Sequence, residues 1–360
     1  MTSADFRAKI FDTTCARAVT NACPAGGLPA RADRSGILRS RVLPEPQTIP
    51  ASASLPALRI ASIDHLRIVA AIGIVWFHTE GAPYRQIGYA GLPVFLLIFF
   101  SLITRDFGTT TTHFLRRRWN RLLKPWLFWS ALYGVCRLAR AIHTVDVAEL
   151  WGMFSIETLF AGTSIHLWYL PYAFVSGLLT FTANRRIREV DHVVAAVTAA
   201  LVGMLTLAVC TVGMTNHRML QPLAQWEFGL AAIPLGLAIG RCLMIPSQNL
   251  RKTLLAGIAL AVLVESQILR VLDVGATATP YGIGTMLVCI AYCLEIKGSD
   301  FVLSLAPLTF GIYLIHPLVI YGLQHSLPLT GHYGLFMLLA VCISALITLV
   351  LMRTPVRRFL

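Results

Sequence analysis

The stretch Ile63-Asp64-His65-Leu66-Arg67-Ile68-Val69-Ala70-Ala71-Ile72-Gly73-Ile74-Val75-Trp76-Phe77-His78 is apolar enough to enter a bilayer. It nevertheless carries an Asp and an Arg near its start and a His at its end. Polar side chains are costly against lipid, so these are expected to face protein or water. Arg67 and His78 lie eleven positions apart. On a helix that is roughly 16 Å, nearly three turns, and it returns both residues to nearly the same side. A cation near one membrane face, below an imidazole nearer the other, is the layout expected of a group-transfer site reached from both sides.

The composition agrees with this reading. The 360 residues are 56% hydrophobic and 13% charged, with a mean hydropathy of +0.69. Soluble domains average roughly 45–50% apolar and about 25% charged residues, so an all-α polytopic membrane protein is expected. A net charge of +13 would suit nucleic acid, but the basic residues cluster between the hydrophobic segments, which excludes that partner. Cys15 and Cys23 lie in the N-terminal tail, and the other six cysteines lie in or beside apolar segments. There is no CxxC or Cys/His spacing, so no disulfide framework and no metal site are expected. Nothing at the start resembles a signal peptide, so the first spanning helix is expected to target the chain.

Residues 1–60, rich in Ala, Pro, Ser and Arg, read as a disordered tail. Ten spanning segments are predicted to follow, at about 63–80, 88–104, 122–140, 166–183, 193–212, 226–242, 253–269, 280–295, 304–323 and 333–352. Pro93 is expected to break the second in part, and Pro234 lies in the sixth. The membrane domain is thus 61–353, with a short C-terminal tail at 354–360. With the N-terminal tail inside, five of the 30 basic residues fall outside: Arg85, Arg137, Arg140, Arg218 and Arg270. The positive-inside rule then puts both termini in the cytoplasm. The connection at 141–165 holds Trp151, Phe154 and Phe160 at near-helical spacing. It reads either as an interfacial helix at the outer mouth or as an ordinary loop on the bundle.

Several residues have the chemistry for transfer. His78 suits a general base or a transient acyl carrier at neutral pH, against a packing or capping role. Glu80 just beyond it is placed to orient the ring, or to sit at the rim. Asp64 and Arg67 read either as a pair anchoring the helix in the headgroup region or as an anion site held in place by the carboxylate. Arg118 and Arg121 are three apart and predicted to share a helical face. They either anchor the third crossing or grip a phosphorylated donor by bidentate contacts, and coenzyme A with its three phosphates would suit them. His166, Trp168 and Tyr169 open the fourth crossing at the outer face. His166 is expected to face the same mouth as His78. Tyr313 and His316 lie inside the ninth crossing, either packing between helices or lining a channel. Glu265 is an intramembrane carboxylate, and Arg270 lies just beyond it; they either brace the bundle or reach a ligand. Glu227, with Gln221 and Arg218 before it, is a weaker candidate for contact with a sugar.

Taken in order, IDHLRIVAAIGIVWFH, the paired Arg118 and Arg121, HLWYL at 166–170 and FGIYLIHPL at 310–318 resemble the membrane acyltransferase 3 family. That family includes bacterial surface-polysaccharide O-acetyltransferases. Asp64, Arg67 and His78 fit its opening Asp, Arg and, after ten intervening residues, His. Tyr313 and His316 fit its late His-bearing helix. The likeness spans about residues 60–352. Two features depart from the family: Ser101 is followed by Leu102 where many members have Gly, and no outer esterase-like domain is evident.

The resemblance implies a ten-helix acyltransferase 3-like bundle in the bacterial inner membrane. It would transfer an acyl group, most often acetyl from acetyl-CoA, to a hydroxyl of a lipid-linked or exported glycan. Asp64, Arg67 and His78 would form the catalytic set, with Glu80 added on its position beside His78. Arg67, Arg118, Arg121, Tyr313 and His316 would hold the donor. His166, Trp168 and Tyr169 would meet the acceptor, joined by Glu227, Glu265 and Arg270 on the reading of their own chemistry. Polysaccharide assembly proteins are the partners such an enzyme would have. A glycan transporter or flippase, or a non-catalytic subunit of an export complex, shares the same broad pattern.

Overall fold

In the computed structural model the residues described are 60–106, 108–144, 155–216, 221–272, 277–294, 296, 299–326 and 331–360. The N-terminal tail reading and residues 145–154 of the 141–165 connection, with Trp151 and Phe154, lie outside them, as does Arg218. The described residues form helices and turns and no strand. We number the longer helices α1 (Ala61–His78), α2 (Gly91–Thr104), α3 (Thr111–Arg118) and α4 (Lys124–Thr144). Next come α5 (Tyr169–Arg186), α6 (His192–Asn216), α7 (Leu223–Leu230) and α8 (Ala232–Cys242). The last are α9 (Gln248–Val271), α10 (Thr279–Cys293), α11 (Leu308–Ser326) and α12 (Tyr333–Leu351).

Every predicted segment coincides with a helix or a closely joined pair. Among the described residues, six are long and apolar enough to cross a membrane: Ala61–His78, Arg85–Thr104, His192–Met214, Leu223–Cys242, Gln248–Val271 and Tyr333–Leu351. The helix α10 is apolar but shorter, while α4, α5 and α11 carry more polar and titratable positions. The second segment is interrupted as expected, at Tyr89–Ala90 between the short helix Arg85–Gly88 and α2, just ahead of Pro93. Pro93 itself is the third residue of α2, where its missing N–H would have had no helical partner in any case. In the sixth segment the chain likewise turns, at Ala231 just ahead of Pro234.

The bundle is apolar outside and polar within. Val135, Ile142, Leu201, Leu205, Val209, Leu260 and Leu346 are all more than half exposed. Meanwhile Asp64, Ser101, Asn184, Arg241, Thr285 and His316 are buried. Lipid is as apolar as Leu, so it is the polar groups that must find partners inside. Several do so between helices. Asn184 Nδ2 donates to the Thr104 carbonyl at 2.8 Å, and the Ser101 and Tyr292 hydroxyls meet at 2.8 Å. Arg241 donates to the carbonyl of Ile187 at 2.9 Å, just past the end of α5. The inverted pattern and the apolar helices identify an integral membrane protein.

Helix α2 is the hub, packed by α1, α5, α8 and α10. Helix α1 stands between two core regions. Its Ile63, Leu66 and Ala70 join one with α2, α6, α8 and α10; its Val75 joins the other with α4, α11 and α12. Close approach of α1 and α2 depends on small residues: a Cβ at Gly88 or Gly91 would run into the carbonyl oxygen of Gly73 or Ala70.

Candidate functional site

Helix α1 places Arg67, Ile74 and His78 in one stripe. The first two line a partly open cavity of about 280 Å³ together with Leu92, Phe95, Tyr169 and Tyr313. Arg67 lies at the end near the start of α1, half-buried, with its Nη1 3.5 Å from the Asp64 carboxylate. Burial of Asp64 makes this pair an orienting contact, since a fully exposed pair would be worth little.

Beyond Tyr313 the structure gathers three imidazoles. The ring of His316 lies 5.1 Å from that of His78 and 5.9 Å from that of His166. His316 is fully buried on α11, and His166 is buried on the 3-10 turn Ile165–Trp168. His78, the last residue of α1, is half-buried. The Nδ1 of His316 sits 3.1 Å from the Ile312 carbonyl oxygen, and the Nδ1 of His166 lies 2.9 Å from the Ser164 hydroxyl. The Nε2 atoms of both rings are buried and make no hydrogen bond among the described residues. Two more side chains brace His166. The Tyr313 hydroxyl donates to its main-chain carbonyl. The Tyr133 ring meets its imidazole edge-on at 4.8 Å, and the Tyr133 hydroxyl donates to the Leu314 carbonyl at 2.8 Å. Tyr133 and Ser164 gave no sequence signal, because each is defined only by a partner far along the chain or by the shape of a turn.

Other predicted residues fall elsewhere. Helix α1 ends at His78 and the backbone of Thr79 just past it is extended (φ −78°, ψ 103°), so Glu80 leaves the His78 face and is exposed. The ring against His78 is His316. Arg118 and Arg121 do not share a face, because a π turn, Trp119–Leu123, runs through them. A π turn is wider than an α turn, so an i,i+3 pair no longer stacks. Arg118 turns inward, its guanidinium 4.6 Å from the Phe99 ring and 5.1 Å from that of Phe114. It precedes the predicted third crossing. Burial, helped by the charge of Arg117, pushes its pKa down to about 10, which leaves it charged at neutral pH. Arg121 is exposed.

Tyr169 lines the cavity beside Tyr313. Trp168 points into the other core region, against Tyr172 at 5.4 Å. Glu227 packs toward Gly213 on α6, its Oε2 buried and without a hydrogen bond among the described residues. Glu265 is half-buried and Arg270 exposed on α9, and they form no ion pair with each other. None of these three lines the cavity. The cavity lining includes Arg67 and Tyr313 but not His78, Arg118 or Arg121. Among the described residues no group of three His, Cys, Asp or Glu side chains is arranged to hold a metal ion.

Fold and site define an integral membrane protein whose bundle encloses clustered imidazoles behind a cavity with a cationic end. The chain belongs to the acyltransferase 3 family, whose acyltransferase domain matches residues 60–353. Acyl transfer is therefore its class of reaction. No curated protein and no solved structure matches the chain.

Proposed function

We propose that the protein transfers an acetyl group from acetyl-CoA to a hydroxyl of a cell-surface or exported glycan. In this reading α4, α5, α10 and α11 complete ten crossings of the bacterial inner membrane, and both termini are cytoplasmic, a topology supported by the distribution of Lys and Arg. The observation that carries the reading is the single stripe of α1. Its Arg67 opens on the cavity, and its His78 stands against His316 beyond the cavity's Tyr313 wall.

The donor reaches the cavity from the cytoplasm. Arg67 and the exposed Arg121 attract its phosphates, and Arg118 adds charge from within the bundle. The pantetheine arm lies along Ile74, Leu92 and Phe95, an apolar slot suited to a thin flexible chain. Tyr169 and Tyr313 flank the thioester end. His78 takes the proton of the acceptor hydroxyl as the oxygen attacks the thioester carbonyl. The C–S bond breaks, the thiolate takes the proton from His78, and an ester and free coenzyme A thiol result. The acceptor enters from the outer side, near His78 and the turn that carries His166.

The test supplies acetyl-CoA, radiolabelled in the acetyl group, to inside-out vesicles holding wild-type or His78→Ala protein. Label is then counted in glycan, lipid and protein fractions. Label should enter the glycan fraction with wild type and be lost with the variant at equal membrane insertion. Equal labelling by both would remove His78 from the reaction, and label in the lipid or protein fraction alone would remove the glycan acceptor.

A further inference from the structure

The three imidazoles are not equivalent. A carbonyl oxygen can only accept, so the 3.1 Å contact between His316 Nδ1 and the Ile312 carbonyl puts the proton of a neutral His316 on Nδ1. Its lone pair then lies on Nε2, which is fully buried and has no hydrogen bond among the described residues. A buried acceptor left unpaired keeps its full desolvation cost, so the site is built to receive an N–H.

The rings beside it are those of His78, His166 and Tyr313. The Tyr313 hydroxyl is committed to the His166 carbonyl. His166 is held at Nδ1 by Ser164 and edge-on by Tyr133. His78 is the nearest ring to His316, at 5.1 Å against 5.9 Å for His166. It is also half-buried at a helix end, where its side chain can turn. The charged groups near this end of α1 are the exposed Glu80 and Arg85, whose guanidinium lies 5.8 Å from the Phe77 ring.

We infer that His316 is the positioning residue for His78: its Nε2 accepts one N–H of the His78 ring and so holds the other His78 nitrogen unprotonated, facing the acceptor hydroxyl. This rests on His78 being the base of the proposed transfer. When His78 takes the hydroxyl proton, both its nitrogens carry hydrogen and the bond to His316 becomes charge-assisted. No proton moves to His316. The proton returns from His78 to the departing thiolate. A base oriented by a third group is the general logic of an activated site; here the third group is a neutral imidazole whose tautomer is set by its own helix.

The test uses full-length wild type, His316→Leu, His316→Gln and His78→Ala in the same vesicles, with labelled acetyl-CoA. Leu removes the acceptor lone pair, whereas the Gln carbonyl restores one. His316→Leu should lower the maximal rate about a hundredfold and leave the KM for acetyl-CoA unchanged. His316→Gln should recover about tenfold of that loss. A raised KM at an unchanged maximal rate would overturn the proposal and make His316 a wall of the donor slot. Equal loss in the Leu and Gln variants would make it a packing residue.

A second measurement needs no variant. His316-Pro317 is the only His-Pro pair in the sequence, so the His316 ring can be assigned through Pro317 in ¹⁵N spectra of labelled wild type in nanodiscs. The Nδ1–H tautomer is expected, and an Nε2–H tautomer would overturn the proposal. Wild-type activity with a dead His78→Ala and a fully active His316→Leu would overturn the positioning role alone. Equal labelling by wild type and His78→Ala would overturn the transfer mechanism beneath it.

Discussion

Replacing Tyr133 separates the two things this side chain does. Its hydroxyl ties α4 to α11 through the Leu314 carbonyl at 2.8 Å, and its ring stands edge-on to His166 at 4.8 Å. Tyr133→Phe removes only the tie. Interhelical hydrogen bonds within membranes average about 0.6 kcal/mol and reach about 1.7. The stability loss should therefore be about 1 kcal/mol, and because the ring stays, transfer should fall by less than tenfold. Tyr133→Leu removes the ring as well, including an aromatic contact worth about 0.5–1.5 kcal/mol beyond its burial. It leaves His166 free to shift against His316, and displacement of about 1 Å in a reacting constellation can cost about a hundredfold. The assays are thermal unfolding of the purified protein in detergent and labelled acetyl transfer in vesicles. A Tyr133→Leu protein that is folded and transfers at the wild-type rate would refute the claim that the turn at 165–168 must be held against α11.

Two further predictions concern the donor. Arg67→Gln should raise the KM for acetyl-CoA about tenfold with little change in maximal rate, the signature of a lost charge-assisted contact made equally in ground and transition states; an unchanged KM would leave Arg67 as a partner of Asp64 only. Arg118 and Arg121 should behave differently from each other. Arg118→Leu should lower thermal stability by removing a cation seated on Phe99 and Phe114. Arg121→Gln should leave stability alone and weaken the salt dependence of the acetyl-CoA KM, because its charge is exposed and screened; matching effects in the two variants would contradict the division imposed by the π turn.

Much of the architecture was legible because membranes impose a strong rule: long apolar runs become helices, and the predicted runs fall on helices here. The Arg67–His78 stripe was legible because its spacing of eleven is a helical repeat. The partner of His78 was not. Glu80 is near in sequence, but an extended Thr79 carries it off the face. His316 reaches His78 because α11 packs on α1, a contact that no local spacing encodes. The same holds for Tyr133, which reads as one more aromatic in an apolar run until its hydroxyl is seen on the Leu314 carbonyl. The Arg118–Arg121 expectation assumed α-helical spacing. A one-turn π segment is invisible in composition, yet it sends one guanidinium inward and the other to the surface.

The most direct measurement of the account is photolabelling with an acyl-CoA that carries a diazirine on its acyl group, followed by peptide mapping of the full-length protein in vesicles. The account predicts label on the peptides that hold Phe95, Tyr169 and Tyr313, and loss of that label in the presence of excess acetyl-CoA. Label confined to the lipid-facing sides of α6, α9 and α12, or unaffected by acetyl-CoA, would contradict it.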